Sequence, residues 1–474
     1  MKKNIWKIPM AGFAVLTAVC VTAIPITGYF APMINVALNA ETQKIVKDPN
    51  AQIFYWTNYD SEEELVANDW NVCRQVMAEG ASVLLNRDGA LPLAPDSKIS
   101  CFSQSSVDPV KVGTGSAFVS TGEGASLYSA LEDSFQPGCV NTDLWKFYVT
   151  SGYKRENAAL SGGDPSQYRI NEVPWDKYTD ALKSTFASYG DAALVVLSRS
   201  SGEGADLPSG LTELEPYMTD GDYLRLCKEE KDLLENLKTL KEQGTFKKII
   251  VLLNSSSTLQ LDFLDAYDID AVVWTGNMGI NGLPAVADIL AGKVNPSGRI
   301  VDTFLKDNHS SPAMVNYDAY PYTNASQYDL AFAQNNTAPG IDKCNMNYVV
   351  YQEGIYVGYR YYETRYEDYV LGQGSAGDYD YNADVAFPFG AGLSYTTFEY
   401  GEPTVTNVPE SGAFGETDTV HAEITLTNTG DRKGTEVVQL YIGDIVTSYS
   451  WTDRELKAFQ RVELEPGESE TVAF

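Results

Sequence analysis

The chain has 474 residues, enough for roughly two or three domains, and its 64 acidic residues against 34 basic ones give a net charge of −30. Such a surface repels phosphate backbones, which argues against a nucleic-acid partner, and it suits a neutral substrate such as a sugar. The two histidines, His309 and His421, lie far apart in sequence, and none of the six cysteines has C-x-x-C spacing. The composition therefore disfavours histidine-ligated metals, zinc clusters and histidine-based triads, and leaves any acid/base chemistry to carboxylates.

The N-terminal segment 1–45 predicts export from the cell. Three lysines within the first seven residues precede a stretch without charge over residues 8–40. Lysines ahead of a long apolar stretch are typical of a signal peptide or of a membrane anchor. Residues 38–40 supply only one of the two small residues that a cleavage site needs, which favours an uncleaved anchor over residues 8–30. The protein body is expected outside the cell, anchored to the membrane by this segment, or secreted if the segment is cleaved.

Residues 46–310 are predicted to form an α/β domain with a lead helix. A helical pattern covers Glu63 to Leu85, and four short, almost wholly apolar stretches follow, as expected for strands that are buried on both faces. Helical stretches separate several of them, and this alternation predicts a mainly parallel, open sheet sandwiched by helices. The strands are predicted at Lys98–Phe102, Ala192–Leu197, Lys248–Leu253 and Ala271–Trp274, and the helices at Tyr223–Gln243 and Leu283–Leu290.

The remaining chain changes character twice. Residues 311–395 are rich in Tyr, Asn and Asp with weak periodicity, and are interpreted as an irregular connecting segment. From residue 396 onwards, alternating stretches at Val420–Asn428 and Thr435–Ile442 predict an all-β, fibronectin type III-like sandwich. Because residues 396–474 are fewer than the roughly 100 of such a sandwich, we expect this domain to be incomplete and the natural protein to be longer.

Polar loops follow the predicted strands, and ligands collect at the carboxyl ends of the strands in an open α/β sheet. Residues 113–116 (Gly-Thr-Gly-Ser) come after the first strand and residues 198–206 after the second. Short polar stretches at 254–257 and 275–277 follow the third and fourth. Glu203 is the only carboxylate in these loops with glycine on both sides. The pattern predicts a site for a polar ligand with one candidate acid.

Each of these features also has an ordinary structural explanation. A glycine-rich turn is usually no more than a turn, and this one lacks the G-K-[ST] ending of a phosphate loop. An isolated loop glutamate is more often a solvated charge than a catalyst. Aromatic side chains such as Trp274 and Tyr359 are more often core residues than platforms for sugar stacking. The residues alone therefore do not identify the ligand.

Five segments, however, form an ordered set of longer motifs. They are EGASVLLNRDGALPL at 79–93, SRSSGEGAD at 198–206, WTGNMGINGLPAVADILAGKVNPSGRIVDTF at 274–304, VYQEGIYVGYRYYET at 350–364 and FPFGAGLSYTTF at 387–398. Over nearly the whole exported body, these segments resemble glycoside hydrolase family 3, a family of β-glucosidase-like enzymes. The resemblance implies the C-terminal α/β-sandwich domain of that family, followed by part of its fibronectin type III-like domain.

The resemblance also implies an activity, the hydrolysis of terminal β-glycosidic bonds by a retaining mechanism with two carboxylates. In such a mechanism an aspartate attacks the anomeric carbon, and a glutamate first protonates the leaving oxygen and then activates water. By position, Glu203 matches that acid/base, whose pKa would need to be raised by burial or by a nearby anion. No metal or organic cofactor is implied. The positions that match the sugar pocket are Gly113, Thr114, Gly115, Ser116 and Asp206.

Two departures from the family pattern matter. Leu207 follows Asp206, where members often have arginine, which puts local sugar contacts in doubt. In addition, no (β/α)₈ barrel, which carries the nucleophile in the family, stands before residue 79. Some members have a permuted domain order, so we expect the barrel beyond residue 474 as a missing partner domain. We also expect no nucleophile in this chain and no glycoside hydrolysis by it alone.

Two further hypotheses were weighed against the enzyme. One is a non-catalytic surface module that binds carbohydrate or a protein partner, which the missing barrel and Leu207 favour and the Glu203 loop disfavours. The other is a doubly wound nucleotide-binding protein, which is disfavoured because no G-x-G-x-x-G motif follows the first strand. The leading expectation is the acid/base-bearing half of a β-glycosidase that acts on β-linked oligosaccharides or glycosides.

Overall fold

A computed structural model gives the architecture of most of the chain. The predicted anchor over residues 8–30 lies outside the part that it describes, and within that part no helix is both long and apolar enough to cross a membrane. Contacts divide the chain into two compact units, 1–64 and 65–474, and the site lies in the second. The described residues are 58–117, 124–156, 168–203, 207, 223–317, 320–324, 347–374, 376–415, 417–443 and 452–474.

The lead helix is shorter than predicted. Helix α1 spans Glu62–Gly80, and the chain then forms strand β1, Ser82–Asn86, where the helical pattern had been expected to run on to Leu85. Val83 and Leu84 are both buried in this strand. Gly80 is a poor helix former, and pairing of β1 covers an otherwise open edge of the sheet.

The central sheet has five strands in the order β1-β5-β4-β3-β2. Strands β2 to β5 are mutually parallel and β1 is antiparallel to β5, which confirms the predicted mainly parallel sheet. All residues of β2, β3 and β4 are buried, as strands covered on both faces should be. The four parallel strands, each within one residue of its predicted bounds, are β2 (Ile99–Phe102), β3 (Ala192–Ser198), β4 (Ile249–Asn254) and β5 (Ala271–Trp274).

Helices cover both faces of this sheet, and alternate strand residues point into two apolar cores. On β4, Ile250 and Leu252 contribute to one core, and Val251 to the other. Helix α6 begins at Lys228, five residues later than predicted, because residues 223–226 pack beneath the loop after β3 instead. The helices of this domain are α2 (Gln104–Val107), α3 (Leu127–Ser134), α4 (Thr142–Thr150), α5 (Asp180–Lys183), α6 (Lys228–Glu242), α7 (Phe263–Ala266) and α8 (Leu283–Leu290).

The segment after the sheet is more regular than the sequence indicated. Its longest element is helix α10, Tyr359–Leu371, which buries Tyr359 and Tyr362 and ends at Gly372 in the left-handed conformation. The many tyrosines of this helix give it weak periodicity, so it was not predicted. The other elements are β6 (Phe304–Leu305), α9 (Pro312–Val315), β7 (Tyr320–Pro321), β8 (Asn347–Tyr348), α11 (Tyr381–Asp384) and β9 (Val385–Phe387).

The C-terminal residues form antiparallel strands that pack around Leu426, Val438 and Val462, as expected for a fibronectin-like domain. The two strands predicted from alternation, β12 and β13, belong to different sheets, and residues 429–431 lead from one sheet to the other. One sheet has the order β10-β12-β11 with β15 also on β12, and the other pairs β13 with β14. The strands are β10 (Phe398–Tyr400), β11 (Thr404–Val405), β12 (Ala422–Asn428), β13 (Gly434–Ile442), β14 (Glu455–Leu464) and β15 (Ser469–Ala473).

Candidate active site

Three loops at the carboxyl end of the sheet are joined by one side chain, that of Asn254, the last residue of β4. Its Oδ1 accepts hydrogen bonds from Val110 N and Ser198 Oγ, both at 2.6 Å. Its Nδ2 donates to the carbonyl oxygens of Val110, at 2.8 Å, and Gly276, at 2.6 Å. The side chain is fully buried, and all four of its hydrogen-bonding positions are used. Asn254 therefore holds the loops after β2 and β5 against the end of β3.

The loop after β3 starts with a buried ion pair. The Arg199 guanidinium, fully buried, makes two hydrogen bonds to the Glu230 carboxylate, at 2.9 and 2.8 Å, and also donates to the carbonyl oxygen of Tyr223 at 2.6 Å. Burial opposes its charge, but the attraction of Glu230 raises the pKa of Arg199. Glu230 belongs to the first turn of α6, so the ion pair fixes the start of the loop to that helix.

Beyond Arg199, hydrogen bonds hold the loop in place as far as Ser201. Ser200 N donates to the hydroxyl of Tyr223 at 2.8 Å, and this hydroxyl donates back to Ser200 O at 3.1 Å. The hydroxyls of Ser201 and Ser257 are 3.0 Å apart. These contacts leave Glu203, two residues further on, projecting from an anchored base.

Glu203 reaches the loop after β2. Its Oε2 accepts hydrogen bonds from the backbone N–H of Ser116 at 2.6 Å and from the Ser116 hydroxyl at 2.5 Å. Its backbone carbonyl accepts a hydrogen bond from Thr114 Oγ1 at 2.9 Å. Gly115 has φ +64°, and a Cβ there would lie 2.6 Å from the Cβ of Glu203. Glycine is therefore required for the two loops to approach so closely.

The structure thus brings four of the six predicted site residues into direct contact. These are Glu203, Thr114, Gly115 and Ser116. Gly113 lines an adjoining cavity of about 160 Å³ together with Thr114. Asp206 lies outside the described residues.

The protonation of Glu203 differs from the expectation for a general acid. The hydroxyl and the backbone N–H of Ser116 lower the pKa of the Glu203 carboxyl. The carboxyl is fully exposed to solvent, so burial does little to oppose them. The raised pKa expected of an acid is absent in this arrangement because no domain covers the described carboxylate. At neutral pH the group is ionised, which is the form that accepts a proton.

A second carboxylate, Glu172, lies buried behind the loop after β2. It accepts hydrogen bonds from Ser103 Oγ at 2.6 Å, Gln104 N at 2.8 Å and Val173 N at 2.9 Å. Burial, with a smaller contribution from the charge of Glu230, raises the pKa of Glu172 to about 7 in spite of these bonds. Ser103 has φ 78°, a conformation that a non-glycine residue rarely adopts. Glu172 therefore stabilises a strained turn at the end of β2.

Glu172 predicts a pH dependence of folding. A raised folded-state pKa stabilises the protein below pH 4.5, and this contribution is lost as the pH rises to about 7. The loss amounts to about 3 kcal/mol, since one pKa unit corresponds to ~1.4 kcal/mol. Glutamine carries no charge at any pH. We therefore expect the free energy of unfolding of Glu172→Gln, relative to that of the wild type, to rise by about 3 kcal/mol between pH 4.5 and pH 8. Urea unfolding at the two pH values measures this gain.

The matched control for this prediction is Glu402→Gln, which alters an exposed carboxylate. Its stability relative to the wild type should be the same at both pH values. An equal difference between Glu172→Gln and the wild type at pH 4.5 and at pH 8 would show that folding does not raise the pKa of Glu172.

The departure at Leu207 also has a structural context. Leu207 lines a cavity of about 360 Å³ with Met314 and Tyr317, and the Tyr317 hydroxyl donates to Leu207 O at 3.2 Å. An apolar side chain therefore lies in the position where the family often has arginine. Ser257, the partner of Ser201 in the Glu203 loop, also lines this cavity.

A cavity of about 770 Å³ lies elsewhere, against the fibronectin-like domain. Its lining includes Tyr359, Tyr441, Arg299 and Glu436, and none of the predicted site residues. Arg299 Nη2 and Glu436 Oε1 are 2.6 Å apart, which compensates both charges within the wall. The converging loops and the exposed Glu203 carboxylate lie at the carboxyl end of the sheet instead. We therefore regard this cavity as part of the contact between the α/β domain and the fibronectin-like domain, and not as the active site.

Sequence reasoning missed three residues that build the site. The segment containing Arg199 was singled out, but the ion pair with Glu230 was not predicted, although a charged residue at the end of a buried, largely apolar strand signals a buried partner. Asn254 was grouped with the polar stretch 254–257 after the third strand, but its contacts with the other loops were not predicted. No signal in the sequence distinguished Glu172 from a surface carboxylate.

Family models match most of the chain. One described as the C-terminal domain of glycosyl hydrolase family 3 matches residues 82–359, and one described as a fibronectin type III-like domain matches residues 436–474. Together they cover the sheet, the converging loops and the end of the chain.

Individual relatives are β-glucosidases. Thermostable beta-glucosidase B of Acetivibrio thermocellus is 27% identical over 403 residues, which cover 85% of this chain and 42% of that protein. Beta-glucosidase A of Butyrivibrio fibrisolvens is 30% identical over 421 residues, which cover 84% and 45%. The structure of beta-glucosidase 3B from Thermotoga neapolitana in complex with glucose is similar with a TM-score of 0.64 and 29% identity, over 87% of this chain and 49% of the other. The chain thus spans about half the length of the relatives it matches.

Proposed function

Because this chain belongs to glycoside hydrolase family 3, we propose that it takes part in hydrolysing terminal β-glycosidic bonds of oligosaccharides or glycosides, with Glu203 as the general acid/base. One observation carries the proposal. The exposed Glu203 carboxylate lies at the carboxyl end of β3, where the loop that bears Ser116 converges on it. The β-glucosidases among the relatives support the class of bond.

The proposed reaction is a double displacement with retention. In the first step, an aspartate from a barrel domain outside this sequence bonds to the anomeric carbon. The glycosidic C–O bond breaks, and protonated Glu203 gives its proton to the leaving oxygen. In the second step, water attacks the anomeric carbon, Glu203 takes the proton from that water, and the aspartate leaves. In this scheme the chain supplies the acid/base and the barrel supplies the nucleophile, so neither part is sufficient alone.

The first step needs a protonated Glu203, whereas the hydrogen bonds from Ser116 favour the ionised form. A domain that closes over the loop would remove water from the carboxyl group, and a nucleophilic aspartate nearby would add a negative charge. Both effects raise the pKa of a carboxyl group. We therefore propose that assembly with the barrel and substrate raises the pKa of Glu203, so that the protonated carboxyl group can act as the acid.

The test is hydrolysis of a panel of aryl β-glycosides by the protein at its natural length, beside its Glu203→Gln variant. Glutamine keeps the shape of the side chain but cannot donate a proton. We expect the variant to be slowest on the poorest leaving groups, which need the acid most. Azide, which requires no base, should restore the second step and yield a β-glycosyl azide.

The control is Glu402→Gln, an exposed carboxylate of the fibronectin-like domain, which should behave like the wild type. Failure of azide to rescue Glu203→Gln would refute the acid/base role. A wild-type protein that hydrolyses no glycoside but still binds sugars would support the alternative, a non-catalytic surface module. Leu207, in place of the frequent arginine, favours that alternative.

The proposal also includes a location. We propose that the protein is exported and anchored to the cell membrane by residues 8–30, or secreted if this segment is cleaved. Sequencing the N-terminus of the exported protein distinguishes the two forms.

A further inference from the structure

We propose that Ser116 is a positioning residue that holds Glu203 in its ionised, proton-accepting form. This inference rests on the proposed acid/base role of Glu203. In this arrangement the group is ready to accept a proton, as the second step of the reaction requires, and the contact with Ser116 opposes the protonation that the first step requires.

The geometry of the contact selects the ionised form. Both donors of Ser116, the backbone N–H and the hydroxyl, point to the same oxygen, Oε2 of Glu203, at 2.6 and 2.5 Å. Protonation at Oε2 would direct the new hydrogen towards both donors, whereas protonation at Oε1 would keep both hydrogen bonds but weaken them, because Oε2 would then be a neutral acceptor. The hydroxyl of Ser116 could rotate and accept a hydrogen on Oε2, but a backbone N–H can only donate. Hydrogen bonds to a charged acceptor are also roughly twice as strong as neutral ones.

The position of the carboxylate follows from how the two loops interlock. Thr114 Oγ1 donates to the backbone carbonyl of Glu203 at 2.9 Å, which sets the register of one loop on the other. A Cβ on Gly202 would lie 2.6 Å from Thr114 Oγ1, and one on Gly115 would lie 2.6 Å from Glu203 Oε2. Two glycines therefore permit the approach that brings Glu203 to Ser116.

Other charges near this site do not explain the contact. Lys111, Asp108, Arg155 and Glu156 line the cavity of about 160 Å³ beside Thr114. Arg155 Nη2 lies 3.7 Å from Asp108 Oδ2, so these two charges offset each other. Among the described residues, the interactions that lower the pKa of Glu203 come from Ser116, and none of these four groups contributes.

A titration of the 474-residue chain tests the inference without any need for catalysis. Glutamate labelled with ¹³C at the side-chain carboxyl is followed by NMR, and the Glu203 signal is the one missing from Glu203→Gln. In the wild type we expect this signal to titrate below the ordinary range of glutamate. Ser116→Ala removes the hydroxyl and should move the titration midpoint to higher pH, whereas Ser116→Thr keeps a hydroxyl and should restore the low midpoint.

The matched control is Ser201→Ala, which removes a hydroxyl from the Glu203 loop that contacts Ser257 instead of the carboxylate. Its Glu203 signal should titrate as in the wild type. The same midpoint in Ser116→Ala as in the wild type would overturn the inference. An equal shift in Ser201→Ala would also overturn it, because loosening of the loop would then be the cause.

A second experiment separates this inference from the proposed function. In the protein at its natural length, we measure kcat/KM against pH with a substrate that has a poor leaving group. Ser116→Ala should shift the alkaline fall of this profile to higher pH, because the acid would then stay protonated to higher pH. It should also slow turnover of a dinitrophenyl β-glucoside several-fold, because the second step loses its oriented base. If azide fails to rescue Glu203→Gln, the proposed function fails whatever Ser116 does. If azide rescues it while Ser116→Ala keeps the wild-type pH profile, only the inference about Ser116 fails.

Discussion

Replacing Asn254 with leucine is expected to destabilise the α/β domain by about 4 kcal/mol or more. Leucine has a similar shape but offers no hydrogen bond. It would leave the N–H of Val110 and the hydroxyl of Ser198 without a partner in a buried place, and it would remove one hydrogen bond each from the carbonyl oxygens of Val110 and Gly276. Each buried polar group without a partner costs roughly 1–3 kcal/mol. Because a domain is stable by only about 5–15 kcal/mol, this loss approaches its whole stability.

Urea unfolding, followed by tryptophan fluorescence, measures the effect. Asn236→Leu on helix α6 provides the control, because its side-chain amide is exposed and donates to the Asp232 carbonyl oxygen of its own helix. We expect that variant to stay within about 0.5 kcal/mol of the wild type. A loss below about 1 kcal/mol in Asn254→Leu would mean that water or a backbone shift replaces the amide, and that the loops are not held through it.

The second large effect is expected on activity and not on folding. In Gly115→Ala, the new methyl group would lie 2.6 Å from the Cβ and 2.8 Å from the Cγ of Glu203, so one of the two loops must move. A displacement of about 1 Å at a catalytic group can cost roughly a hundred-fold in rate. We therefore expect about a hundred-fold loss of glycoside hydrolysis in the protein at its natural length, with a cooperative unfolding transition retained.

Backbone strain alone must be separated from this steric effect. Gly244→Ala is the matched control, because Gly244 has φ +79° after helix α6 and its Cβ would meet no atom within 4 Å. Both variants pay a similar strain of roughly 1–2 kcal/mol for a left-handed alanine. Only Gly115→Ala should lose activity. Equal activities in the two variants would show that the Glu203 loop adapts without harm to the reaction.

The parts of this fold that followed from sequence share a simple property. Strands β3 and β4 are apolar up to their last residue because both of their faces are covered, and such stretches have few other interpretations. The alternating residues of β12 were likewise recognisable, although their pairing was not. At residues 82–86, the same apolar side chains suited a helix or a strand, and only the open edge beside β5 decided between them.

The site was predictable only in part. Glu203 could be singled out as the only carboxylate in the loops after the strands with glycine on both sides, and its proposed role, like those of Thr114, Gly115 and Ser116, followed from the resemblance. Its contact with Ser116, however, joins residues that are 87 positions apart. The amide of Asn254 meets Val110 across 144 positions. No periodicity within a segment records such contacts, so the residues that support the site became visible only in three dimensions.

The contacts of Asn254 have a consequence for how this protein can change through evolution. Two of the three residues that it joins, Val110 and Gly276, are held through backbone atoms, so the Val110 side chain does not take part and Gly276 has none. Mutations can therefore alter the surfaces of those loops while the scaffold under them persists. A library that randomises the loop side chains but spares Asn254 and the glycines with positive φ, Gly115 and Gly276, should retain a large fraction of folded members. New sugar preferences could then arise by drift without prior loss of the fold.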